Sequence, residues 1–171
     1  MRLSPVPMFY FPDCDRAAEM SAQSSRTTHG AAECLDACRL LGRMLCSALA
    51  GADRDEILLG TNPQLLDSPS IQAIARGEYP DKTRDEIRGS GYVVESLEAA
   101  LWCSPNSQSF EQAVLLAANL GDDADTTAAI CGQLAGAYYA VDAIPPHWLE
   151  RLSMRELITE LADRLHAASR G

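Results

Sequence analysis

Residues 125–141 limit the fold more than any other part of the chain, because they form a stretch that is apolar almost all the way round. Ala128, Ala129, Ile130, Cys131, Leu134, Ala135, Ala137 and Tyr138 leave little room for a solvent-facing stripe. A helix of that kind has to be covered by other elements, so it is predicted in the middle of a bundle. Nothing elsewhere offers strand-like alternation of useful length. Only 6 % of residues are aromatic. Ala and Leu are plentiful, and both favour helix over sheet. The prediction is an all-α fold, a single domain over residues 1–171 built as an orthogonal or irregular helical bundle. A chain of this length supports one hydrophobic core and is too short for two comfortable ones.

The remaining helices are read from spacing and punctuation. Prolines 5, 7 and 12 predict an irregular or extended first dozen residues, and the helical pattern begins at Asp13. Residues 31–50 form an amphipathic helix, with Cys34, Cys38, Leu41, Leu45 and Ala48 at three-to-four spacing and Gly51 as its stop. Shorter helices are expected over 53–59 and 71–76, the second stopping at Gly77. A loop over 78–91 ends in Arg88-Gly89-Ser90-Gly91, where two close glycines imply a sharp bend or a close approach. Residues 92–102 and 109–120 are helical, the latter capped by Ser109. Pro145-Pro146 breaks the chain before one or two terminal helices over 147–168.

Charge narrows the partners. Fourteen basic against 24 acidic side chains give a net charge of −10. No Lys/Arg cluster offers the basic face that nucleic acid requires, so nucleic acid and anionic membrane surfaces are excluded as expected partners. No run approaches the ~20 apolar residues of a membrane span, and the proline-broken N-terminus does not read as a signal peptide. The six cysteines include no Cys-x-x-Cys pair. They are read as buried reduced thiols, with a cytoplasmic location as the simplest home.

One segment invites chemistry. Gly121-Asp122-Asp123-Ala124-Asp125-Thr126 opens the most apolar helix with three crowded carboxylates, which repel one another at short range. Helix capping explains one of them well and three poorly. The other reading is hard-metal coordination, in which Asp-x-Asp-Thr supplies two carboxylates and a hydroxyl from one tight turn to Mg²⁺, Mn²⁺ or Ca²⁺. The residues alone leave both readings open.

Their surroundings carry a resemblance. Arg88-Gly89-Ser90-Gly91-Tyr92-Val93-Val94-Glu95-Ser96-Leu97-Glu98, Ser109-Phe110-Glu111-Gln112, Asn119-Leu120-Gly121-Asp122-Asp123-Ala124-Asp125-Thr126-Thr127 and Gly132-Gln133-Leu134-Ala135-Gly136 closely resemble the C-terminal half of ADP-ribosylglycohydrolases. These are all-helical, dinuclear-metal hydrolases. Met1-Arg2-Leu3-Ser4-Pro5-Val6 and Ser25-Arg26-Thr27-Thr28-His29 are similar to two further stretches of that family. Its Gly-Asp-x-x-Gly helix and Thr-Asp-Asp motif find no counterpart here, so the expected fold is the family's bundle truncated at the N-terminus.

The resemblance implies that Asp123, Asp125 and Thr126 are metal ligands for Mg²⁺ or Mn²⁺, with Asp123 and Asp125 also in the catalytic role. It implies hydrolysis of the glycosidic bond between ADP-ribose and a protein side chain, arginine foremost, by metal-assisted attack of water. ADP-ribose or an ADP-ribosylated protein would be the partner. For His29 two readings stand, a place near the substrate or a helix start. For Tyr92, beside Gly91, they are stacking on ribose or adenine and a half-buried aromatic opening a helix. The competing function is a non-catalytic ADP-ribose-binding or oligomerising remnant. A truncated bundle exposes apolar faces, which predicts a homo-oligomer.

Overall fold

The computed structural model describes residues 1–169, and all regular structure within them is helical. The helices are α1 (Pro5–Tyr10), α2 (Cys14–Ser25), α3 (Ala32–Leu49), α4 (Arg54–Leu59), α5 (Pro69–Ala75), α6 (Val93–Cys103), α7 (Phe110–Ala118), α8 (Ala124–Tyr139), α9 (Pro146–Arg151) and α10 (Arg155–Ala168). The helical bundle read from spacing is the one observed. The cap read at Ser109 is observed, and three more α-helices are capped in the same way. Asp13, Asp53, Ser68 and Ser109 each accept a backbone N–H at the start of α2, α4, α5 and α7. Gly51 and Gly77 take positive φ just past α3 and α5.

Two expectations need correction. The first dozen residues are not irregular, since α1 spans Pro5–Tyr10. Pro5 and Pro7 fall in its first turn, where amide hydrogens have no intrahelical partner, so their missing N–H costs nothing there. The second concerns α8. It buries Thr127, Ile130, Cys131, Leu134 and Ala135 against α3, α6 and α7, yet leaves Ala129 and Tyr138 exposed and Gly132, Gln133 and Gly136 half-covered. Its open side carries mostly small residues, and short side chains expose little apolar area, so a high apolar count did not demand full burial.

The centre of the bundle is α3. It packs against α1, α2, α4, α5, α6 and α8 and buries Leu40, Leu41, Met44 and Leu45 with Leu97 and Leu101 of α6, Ile71 and Ile74 of α5, and Leu134 of α8. Helices α2 and α3 approach so closely that an added Cβ at Gly42 would lie 2.2 Å from Ser21 Oγ. Asp36 of α3, only 1 % exposed, accepts the N–H groups of Asp67 and Ser68 at 2.7 Å each and an ion pair from Arg39. That carboxylate ties the loop before α5 to the central helix, in keeping with the rule that buried charges are paired.

The cysteine expectation also changes. Cys14 and Cys46 form a disulfide joining α2 to α3, with their Cα atoms 5.4 Å apart. Both lie in apolar helical patterns, and nothing in sequence spacing says that the packing of two helices brings them together. Cys34, Cys38, Cys103 and Cys131 are free, the last two buried. Reduced thiols were the ground for a cytoplasmic reading, and the disulfide removes that ground. No described helix is long and apolar enough to cross a membrane.

Candidate metal and substrate site

The acidic turn is shaped by its backbone. After α7, Gly121 (φ 83°) and Asp122 (φ 53°) are consecutive residues in the left-handed region. Glycine enters it freely and aspartate tolerates it. The chain reverses there, and the N–H of Asp123 donates to the carbonyl of Gly89 at 2.8 Å. Arg84 steadies the same corner from outside, donating to the carbonyls of Asn119 (3.2 Å) and Leu120 (2.6 Å) beyond the end of α7. A cation suits those free carbonyls.

Glycines let two segments touch. A Cβ on Gly89 would stand 3.0 Å from Thr127 Oγ1 and 3.3 Å from the Gly121 carbonyl, so 89–91 lies directly against the turn. At Gly91 it would lie 3.5 Å from Asp123 Oδ2, which puts the Asp123 carboxylate beside that glycine. The close approach predicted for this glycine pair is therefore observed at Gly89. Thr127, fully buried, sends both its N–H and its hydroxyl to the Asp123 carbonyl at 3.1 Å. The turn is held by backbone atoms, which leaves the acidic side chains to other uses.

Asp123 occupies the cap position of α8, but its side chain makes no capping hydrogen bond. The capping explanation thus fails for the carboxylate best placed to serve it. Asp125 is exposed and Thr126 half-buried in the first helical turn. Two carboxylates and a hydroxyl therefore sit at a helix N-terminus, where the helix dipole favours negative charge. Among the described residues, no group of three or more His, Cys, Asp or Glu side chains is gathered as a metal cluster. Oxygen donors of this kind fit a hard divalent ion in chemistry, and three of them make up about half of an octahedral shell.

The other predicted residues lie in neighbouring segments. His29 is exposed at the end of the α2–α3 loop, its N–H on the Ser25 carbonyl (2.7 Å) and its own carbonyl accepting Ser25 Oγ (2.8 Å). It does not cap α3, which begins after Ala31, so the helix-start reading of His29 is set aside. Tyr92 is 47 % exposed ahead of α6, and its hydroxyl donates to Glu33 Oε2 at 2.7 Å. That hydrogen bond, first among its causes, raises the phenol pKa above its ordinary value, with partial burial and the Glu33 charge adding to it.

Several residues to which the sequence assigned no individual role bind these segments together. Arg2 donates to Thr27 Oγ1 at 2.9 Å, joining the N-terminal stretch to the His29 loop. Gln133 of α8 accepts the N–H of Ser4 at 2.8 Å and donates to the Met1 carbonyl. Glu33 joins α3 to Tyr92. No local pattern announces such pairs, because their members are between 25 and 132 residues apart. His147 and His166 are exposed on the surface.

A bundle in which Gln133 of α8 holds the N-terminal stretch and the glycine pair lies against the acidic turn that opens α8 defines a class, and comparison with known proteins agrees with it. The chain belongs to the ADP-ribosylglycohydrolase family, whose sequence pattern it matches over residues 1–171. It is 46 % identical over 165 residues to the ADP-ribosylarginine hydrolase Tri1 of Pseudomonas putida (strain GB-1), covering 96 % of this chain and 44 % of that one. Over 68 residues it is 40 % identical to the ADP-ribosyl-[dinitrogen reductase] glycohydrolase of Rhodospirillum rubrum, 40 % of this chain and 23 % of that one. A solved structure described as an ADP-ribosylglycohydrolase-related protein complex superposes with a TM-score of 0.86 at 36 % identity, covering 95 % of this chain and 57 % of that one. The chain spans less than half the length of the curated hydrolase it matches over 165 residues.

Proposed function

We propose that this chain carries part of the active site of an ADP-ribosylarginine glycohydrolase, cleaving the N-glycosidic bond between ADP-ribose and an arginine side chain. One observation carries the reading. The uncapped Asp123 carboxylate lies beside Gly91, in a chain 46 % identical to a hydrolase named for ADP-ribosylarginine. Asp123, Asp125 and Thr126 would hold Mg²⁺ or Mn²⁺. When bound, the ion supplies Lewis-acid polarisation and a lowered pKa for water.

The chain's own residues contribute the rest. Asp123 and Asp125 offer carboxylates that orient a water and take its proton as its oxygen bonds to the anomeric carbon, the C–N bond breaks and the electron pair leaves with the guanidine nitrogen. Gly91 admits the substrate close to the backbone, since no side chain stands between it and Asp123. The exposed ring of Tyr92 offers a stacking face for adenine or ribose, and His29 a hydrogen-bond donor for the sugar or a phosphate. Any diphosphate meets a protein of charge −10, so a bound cation would also offset the repulsion.

The test is release of free ADP-ribose from an ADP-ribosylated arginine substrate with Mg²⁺ or Mn²⁺ present. Release by the wild type, lost in Asp123→Ala and Asp125→Ala, is the expected result. Binding of ADP-ribose without release would make the chain a binding module instead. The absence of both binding and release overturns the proposal.

A further inference from the structure

Glu33 stands outside every motif discussed above, in the first turn of α3, yet it is the polar partner of the most exposed aromatic at the site. Its two carboxylate oxygens are engaged from different elements. Oε2 accepts the Tyr92 hydroxyl at 2.7 Å and Oε1 accepts Ser70 Oγ of α5 at 3.5 Å. Among the described residues the other hydrogen bonds of Tyr92 are at its backbone, where its N–H donates to Ser90 Oγ at 3.1 Å and its carbonyl accepts the Ser96 N–H at 2.9 Å. Ser90 itself donates to Glu95. An exposed tyrosine with a free hydroxyl samples several rotamers. A charge-assisted bond at the far end of the ring selects one of them. Helix α3 is the central element of the bundle, so the ring is referenced to the core and not to the loop that carries it.

We infer that Glu33 is a positioning residue, holding the Tyr92 ring in one orientation as a preformed stacking face for the nucleoside end of ADP-ribose. The inference rests on the proposed function, which supplies the ligand. The carboxylate touches neither scissile bond nor metal, and its effect is confined to ligand affinity. Stacking on a ring already fixed avoids the entropic cost of ordering it on binding.

Three variants and two readouts test this. In difference titrations against Tyr92→Phe, the Tyr92 phenol of the wild type should ionise at higher pH than in Glu33→Ala, because the carboxylate opposes a second negative charge. That readout needs no ligand. Calorimetric titration with ADP-ribose should show Glu33→Ala and Tyr92→Phe each weakening binding about fivefold, as expected for one lost hydrogen bond. The double variant should bind no more weakly than either single one, because both remove the same bond. Glu33→Gln keeps an acceptor oxygen and should bind nearly as the wild type does. Melting curves matching the wild type exclude loss of folding.

Unchanged binding in Glu33→Ala, additive losses in the double variant, or an unmoved phenol titration overturns the inference while leaving the proposed function standing. Failure of the wild type itself to bind ADP-ribose overturns both.

Discussion

Two aspartates show how differently one side chain is used in this molecule. Asp36 is buried and satisfied by two backbone N–H groups and an arginine. Asp123 is half-exposed and lends only its backbone to its surroundings, its carboxylate making no cap. Sequence singled out Asp123, because three acids before an apolar helix are unusual, and passed over Asp36, which reads as an ordinary polar position on an amphipathic helix. Burial of a charge depends on what the loop at 67–68 brings to it, and no local pattern encodes that. Asp36→Ala leaves those donors without a partner, so denaturant unfolding should show a loss of about 3 kcal/mol. Asp125→Ala, at an exposed position, should change stability by less than about 0.5 kcal/mol without metal.

At the scale of elements, legibility followed chemistry that is local. The cap at Ser109 and the stops at Gly51 and Gly77 placed helix ends within a residue or two, because each depends on one side chain or one φ angle. What spacing could not show is how helices approach one another. The rule that proline breaks helices missed α1, where the prolines occupy the first turn. The glycine pair was legible as a close approach, but its partner, the turn at 121–127, was not. Gly42 was not singled out at all, although it is the contact point of α2 and α3. Gly42→Ala should cost about 1–3 kcal/mol in thermal or chemical unfolding, since the new methyl must displace the short side chain of Ser21.

At the scale of the whole molecule, the all-α bundle and the family were both legible, the first from composition and period, the second from motifs spread over most of the chain. The disulfide was not. Cys14 and Cys46 are 32 residues apart and become neighbours only through the packing of α2 on α3. Closing a loop of that length restricts the unfolded chain, so reduction, or Cys46→Ser, should destabilise the fold by about 3 kcal/mol in denaturant unfolding. At the other end of the chain α10 packs on α1 and leaves Leu157, Ile158 and Leu161 exposed, so its amphipathic period was legible while its partners were not.

These scales converge on the acidic turn. Residue chemistry supplies three oxygen donors, the glycine pair and Arg84 hold their backbone, and the fold sets the turn against the segment bearing Gly91 and Tyr92. The most direct test is a Mn²⁺ titration of the wild type and of Asp123→Ala, Asp125→Ala and the double variant, followed by the paramagnetic resonance of free Mn²⁺. The account predicts saturable binding in the wild type, weakened in each single variant and lost in the double. Equal binding in the wild type and the double variant, or none in the wild type, would contradict it.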